Sequence, residues 1–254
     1  MTGVRELYEY INSFAPFDTA MSFDNVGILV GDKNARSEKV VLALDATAEV
    51  LREAYEAGAK IVVTHHPVIF NAIKSLDCES APFLAAKYGI TVLSAHTNLD
   101  IAEGGVNDSL AEAAGIVPDE KIAGECAISG HLEKGMSCRE FAESLKNRLG
   151  LSGLRFTDNG RSIKKIMVAC GAGGDSVIFA GEVGADAILT GEIKHHHILF
   201  ANDRKIAVFD LGHFGSEGLI IPKLMDMLSR RFPDTEFIRA AADTDGMIYC
   251  SAQE

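Results

Sequence analysis

The chain has no run of about 20 apolar residues in its 254 positions, so the sequence predicts no bilayer-spanning helix. It also lacks a basic block. Lys and Arg number 24 against 36 Asp and Glu, for a net charge of −12, which argues against an extended nucleic-acid surface. An acidic chain can still take a phosphorylated small molecule where metal ions bring the positive charge. Cysteine pairs at CxxC spacing are missing too. The five thiol residues Cys78, Cys126, Cys138, Cys170 and Cys250 are odd in number, against both a disulfide scaffold and a thiolate zinc site. Thiols in a reducing compartment are the expectation. The opening residues MTGVRELYEYINSF carry acids and lack the apolar core of a signal peptide, and the expected location is cytoplasmic.

What is present is a globular composition, 47% hydrophobic and 24% charged, with room for a real core. Helical spacing of Val4, Leu7, Tyr8 and Ile11 predicts a first helix over 3–13. Apolar runs at 28–30, 39–44, 61–63 and 90–94 predict strands, with helices between them at 47–58 and 80–88. Thr47 reads as an N-cap and Gly58 as a stop. A further helix is predicted at 105–115, and Asp24, Asn25 and Gly27 read as a tight turn, a reading favoured over one in which Asp24 and Asn25 point into a site. The composition shifts to Gly, Pro and charge around 116–136, which suggests a boundary near 127. Beyond it the pattern predicts helices at 137–149, from GAGGDS to about 184, opening at TGEIKHHH, and at 216–231. Strands are expected near 154–156, 163–169, 187–189, 205–209, 235–239 and 246–251. Strand–helix alternation makes the fold α/β. The expected organisation is two similar α/β domains, the second inserted in the first: 1–127 plus 209–254, and 128–208.

Metal-capable side chains recur where strands end: His65 and His66 after 61–63, His96 and Asp100 after 90–94, His213 and Glu217 after 205–209. In an open α/β sheet that edge is where ligands bind. His213 and Glu217, four apart, would share one helical face. Three His, one Asp and one Glu exceed what one open catalytic zinc needs. They suit two divalent ions, with Glu217 as the natural bridge and His65 and His66 serving different ions. Donors without sulfur favour Zn, Mn, Fe, Co or Ni. His96 reads equally as a supporting group or a core histidine.

Two further stretches are weaker. CGAGGDS resembles a phosphate loop, but a glycine turn needed for close packing is the better account. TGEIKHHH offers Glu192, His195, His196 and His197. Glu192 and His196, spaced i,i+4, are candidate acid–base groups.

FDNVGILVGD, LDAT, VVTHHPVIF, SAHTNLD, TGEIKHHH and DLGHFGSE occur in this order. Together they resemble the motifs of the NIF-three-like dinuclear-metal family, the GTP cyclohydrolase I type 2 homologues, over nearly the whole chain. Phe23 departs from the Trp frequent there. The resemblance implies two α/β domains, a dinuclear site of His65, His66, Asp100, His213 and Glu217, and a ring-like homohexamer. His96 is not carried over as a ligand. The family name implies a GTP-ring-opening hydrolase. The expected function is thus a dinuclear-metal hydrolase attacking a nucleotide-like or phosphorylated small molecule. The alternative is a non-enzymatic metal carrier or regulatory interaction protein.

Overall fold

The computed structural model describes residues 1–250. It has a mixed α/β fold divided into two compact units, Met1–Glu103 with Ile220–Thr244 and Gly104–Leu219 with Asp245–Glu254.

Unit 1 begins with β1 (Thr2–Gly3) and α1 (Val4–Phe14), which buries Val4, Leu7 and Ile11 completely. Then come β2 (Gly27–Val30), β3 (Arg36–Ser37) and β4 (Lys39–Ala43). Helix α2 (Ala48–Glu56) starts where the Thr47 hydroxyl accepts the Val50 N–H at 3.2 Å, an N-cap as expected. β5 (Ile61–Thr64), α3 (Ala81–Tyr88), β6 (Thr91–Ser94) and α4 (Thr97–Asp100) follow. β4, β5 and β6 are parallel neighbours, with β2 antiparallel on β6. Every residue of β5 and β6 is buried, as a parallel sheet covered on both faces requires. Each fully buried Val, Leu or Ile contributes roughly 1.5–3 kcal/mol. The register places Thr64 beside Ala43 and Ser94, so residues 44, 65 and 95 leave the sheet side by side, with 45 beside 66.

Unit 2 runs through α5 (Val106–Ala114), β7 (Val117–Lys121), β8 (Ile128–Ser137), α6 (Cys138–Leu149) and β9 (Arg155–Phe156). It continues with β10 (Ser162–Ala169), α7 (Val177–Glu182), β11 (Ala187–Thr190), α8 (His195–Asp203), β12 (Ala207–Asp210) and α9 (His213–Glu217). Its six-stranded sheet has the order β7-β8-β10-β11-β12-β9, with β10, β11 and β12 parallel. The chain then supplies unit 1 with α10 (Ile220–Arg231) and β13 (Glu236–Arg239). β13 pairs in parallel with β4 and completes a five-stranded sheet.

Three expectations are corrected. Residues 117–137 hold no boundary but the antiparallel pair β7–β8, which joins β10. The whole of β7 is exposed and holds Pro118, and a polar edge strand with proline carries no apolar alternation to read. The units therefore divide after Glu103 rather than near 127, and residues 209–219 stay with unit 2 because β12 pairs with β11. The long helix at 216–231 is two helices separated at Gly218, where a Cβ would stand 3.0 Å from the Phe214 carbonyl. Residues 246–250 form no strand, and residue 251 of that expected element lies outside the described residues. Among the described residues no helix is long and apolar enough to cross a membrane.

Candidate metal centre

In unit 1 the backbone ladder carries on past β5. The His65 N–H reaches the Ala43 carbonyl at 3.3 Å and the His66 N–H the Leu44 carbonyl at 2.9 Å. Both imidazoles are thereby fixed at the sheet's C-terminal lip. His65 is completely buried, with its Nδ1 2.9 Å from the Ala95 carbonyl. A carbonyl only accepts, so Nδ1 is the donor in this contact. Asp100 Oδ1 lies 3.4 Å from that Nε2. His66 Nδ1 lies 2.8 Å from Asp45 Oδ1, and His96 Nδ1 lies 2.9 Å from Asp24 Oδ1.

The ring centroids of His65, His66 and His96 are 5.0, 5.2 and 5.4 Å apart in pairs. One ring nitrogen from each comes within 4.8 Å of the others. Tying one imidazole nitrogen to a carbonyl or carboxylate is how proteins present the other to a metal. The donor set therefore fits a divalent ion.

The supporting carboxylates are themselves anchored. Asp24 has a fully buried side chain. Its Oδ2 accepts the Thr97 N–H at 3.0 Å and hydroxyl at 2.5 Å. Burial pushes this carboxyl up, but the hydrogen bonds from the His96 and Thr97 side chains, the His96 charge and the Thr97 N–H outweigh it and hold the pKa down at about 2. Asp243 accepts the Leu44 N–H at 2.9 Å and the Asp45 N–H at 3.3 Å, which fixes the loop that carries Asp45. Burial is the largest influence on the Asp243 carboxyl and, with the nearby Asp45 charge, pushes its pKa up. The sequence missed these partners. Asp24 reads as a turn residue, and it is a buried anchor instead. Asp45 stands two residues past β4 as His66 does past β5, and that shared position was the available signal.

In unit 2, His213 and Glu217 stand one turn apart on α9, with Nε2 3.1 Å from Oε2. Glu217 is buried. His213 Nδ1 lies 2.9 Å from Glu192 Oε1, the same carboxylate support that His66 and His96 receive. Gly171 explains the CGAGG turn. Its φ is +55°, and an added Cβ would overlap Glu217 Oε1 and come within 3.2 Å of His213 Nε2. Its N–H donates to Ser216 Oγ at 2.9 Å. The glycine lets this backbone pack against α9.

Glu192 and His196 do not share a helical face. Helix α8 starts at His195, so Glu192 stands in the preceding loop and its i,i+4 spacing has no helix to act through. His196 is exposed and lies against His197, with centroids 4.0 Å apart.

A mixed α/β fold with buried His, Asp and Glu clusters of this kind defines a candidate metal protein. Residues 2–245 match the Duf34/NIF3 (NGG1p interacting factor 3) family, and the chain belongs to it, among the GTP cyclohydrolase 1 type 2 homologues. The Clostridium perfringens homologue of that name is 34% identical over 248 residues, covering 92% of this chain and 95% of its own. The Helicobacter pylori protein called GTP cyclohydrolase 1 type 2 is 29% identical, covering 89% and 92%. The crystal structure of a Staphylococcus aureus hypothetical protein superimposes with a TM-score of 0.87 at 26% identity, covering 98% of this chain and 99% of its own.

Proposed function

We propose that this protein is a divalent-metal-dependent hydrolase of nucleotide-like or phosphorylated small molecules. In this reading its two ions are held by His65, His66, Asp100, His213 and Glu217. The observation that carries the proposal is the way the imidazoles are held. The Nδ1 atoms of His65, His66, His96 and His213 each face a carbonyl or carboxylate oxygen at 2.8–2.9 Å, the support by which proteins orient an imidazole toward a metal. Nitrogen and carboxylate donors suit Zn, Mn, Fe, Co or Ni.

When bound, such ions polarise a substrate oxygen and make water more acidic. The chain's own groups supply orientation and proton handling. Asp45, Asp24 and Glu192 hold the rings of His66, His96 and His213. The Glu192 side chain is 59% exposed, so a carboxylate oxygen remains open to solvent and able to exchange a proton with substrate. The homohexamer implied by the family resemblance belongs to the same proposal.

The test is a panel of GTP and phosphoesters offered to metal-loaded protein, beside elemental analysis and light scattering. Turnover that disappears on metal removal and in Glu217→Gln is the expected result. Full turnover in metal-stripped protein overturns the reading. No turnover of any compound, together with rapid release of ions to an acceptor, would favour a metal carrier instead.

A further inference from the structure

We infer that Phe23 and Phe70 form a recognition surface for a planar heteroaromatic ring beside the His65–His66–His96 cluster. The inference builds on the proposed function by naming what part of a substrate that site would hold. Phe23 is 61% exposed and Phe70 44%, although large aromatic rings are normally buried. Their centroids lie 6.4 Å apart with the planes tilted by 50°. Phe70 also meets His96 edge-on, at 6.2 Å and 78°. His96 in turn touches both His65 and His66. An aromatic surface thus runs without a break from the candidate metal donors to solvent.

The two rings are held in place by their neighbours. Asp24, next to Phe23, is pinned by His96 and Thr97. Asn25 Nδ2 donates to the Ile69 carbonyl at 2.6 Å, tying the Phe23 loop to the residue before Phe70. The surface is therefore preorganised although residues 65–80 form no helix or strand. Flat rings stack on exposed aromatic faces whatever their hydrogen-bonding edge. Exposed aromatics fixed beside metal donors fit a substrate with a planar ring at one end and its reacting bond at the other.

The chain has no tryptophan, so Phe23→Trp creates a single fluorescent reporter within this surface. Guanosine and adenosine should quench it saturably. Ribose 5-phosphate and inorganic triphosphate, which have no ring to stack, should not. Phe70→Ala in the same background should weaken nucleoside binding by about tenfold, with an unchanged circular dichroism spectrum. Calorimetry of guanosine with the unsubstituted protein and with Phe70→Ala checks that the reporter has not created the site. The inference is overturned if neither nucleoside binds, if Phe70→Ala binds as tightly, or if iodide cannot reach the reporter in the free protein because a second copy covers it. Quenching reports binding independently of turnover. Quenching without hydrolysis would sink only the hydrolase, and hydrolysis without quenching only this inference.

Discussion

Asp45 Oδ1 lies 2.8 Å from His66 Nδ1, and Asp243 holds the Asp45 backbone in turn. A chain of two carboxylates thus sets the angle of one imidazole. Asp45→Ala should lower the protein's affinity for its ions by about 10–100-fold while the fold is retained. Asp45→Asn, which can still accept from Nδ1, should lose less. Chelator competition reads both. Equal affinities in all three proteins would show that the His66–Asp45 contact does not tune a metal.

Gly171 provides a test confined to unit 2. Its φ of +55° costs a non-glycine residue about 1–2 kcal/mol, and a Cβ would displace Glu217 as well. Gly171→Ala should therefore lower Tm by roughly 4 °C or more and weaken metal binding together. Calorimetry of the metal-free and metal-loaded variant separates the two effects. A variant with unchanged stability and metal content would mean that neither the backbone conformation nor the approach to Glu217 requires a glycine.

Much of the fold was legible because its parallel strands are continuous apolar runs and its helices keep their spacing. The apolar runs 61–63 and 90–94 mark β5 and β6 to within one residue at each end. β7 was not legible, since an exposed edge strand with Pro118 has no buried face to leave a pattern. At the candidate site, His65, His66 and His96 were marked by their place after strands. Asp24 was hidden because an Asp-Asn-x-Gly stretch reads as a turn, and only burial against Thr97 shows otherwise. The Glu192–His213 contact spans 21 residues, and no local spacing announces it.

Asp24 gives the pH dependence a sign. Its folded pKa of about 2 lies below the ordinary 3.8, so its contribution is fully present above pH 3.8 and is lost as pH falls through about 2. The shift corresponds to at most about 2 kcal/mol for this buried carboxylate. Metal-free protein should lose stability as the pH falls from about 4 to about 2, and Asp24→Asn should flatten that slope while being less stable at neutral pH. Denaturant unfolding across this range measures it. An identical slope in the variant would mean that other carboxylates carry the acid sensitivity.

Glu192 and His196, paired by their sequence spacing, should separate in function. Glu192 faces His213 Nδ1 at 2.9 Å, whereas His196 lies exposed against His197. Glu192→Ala frees the His213 ring and should weaken metal binding by about 10–100-fold. Glu192→Gln keeps an accepting oxygen but cannot ionise. It should hold metal better than the alanine variant while shifting the pH profile of any turnover. His196→Ala alters a surface side chain and should leave metal affinity within about twofold. Metal titrations and pH–rate profiles of the three variants decide the matter. If His196→Ala lost as much as Glu192→Ala, the surface histidine would have a role in the site that its packing against His197 does not explain.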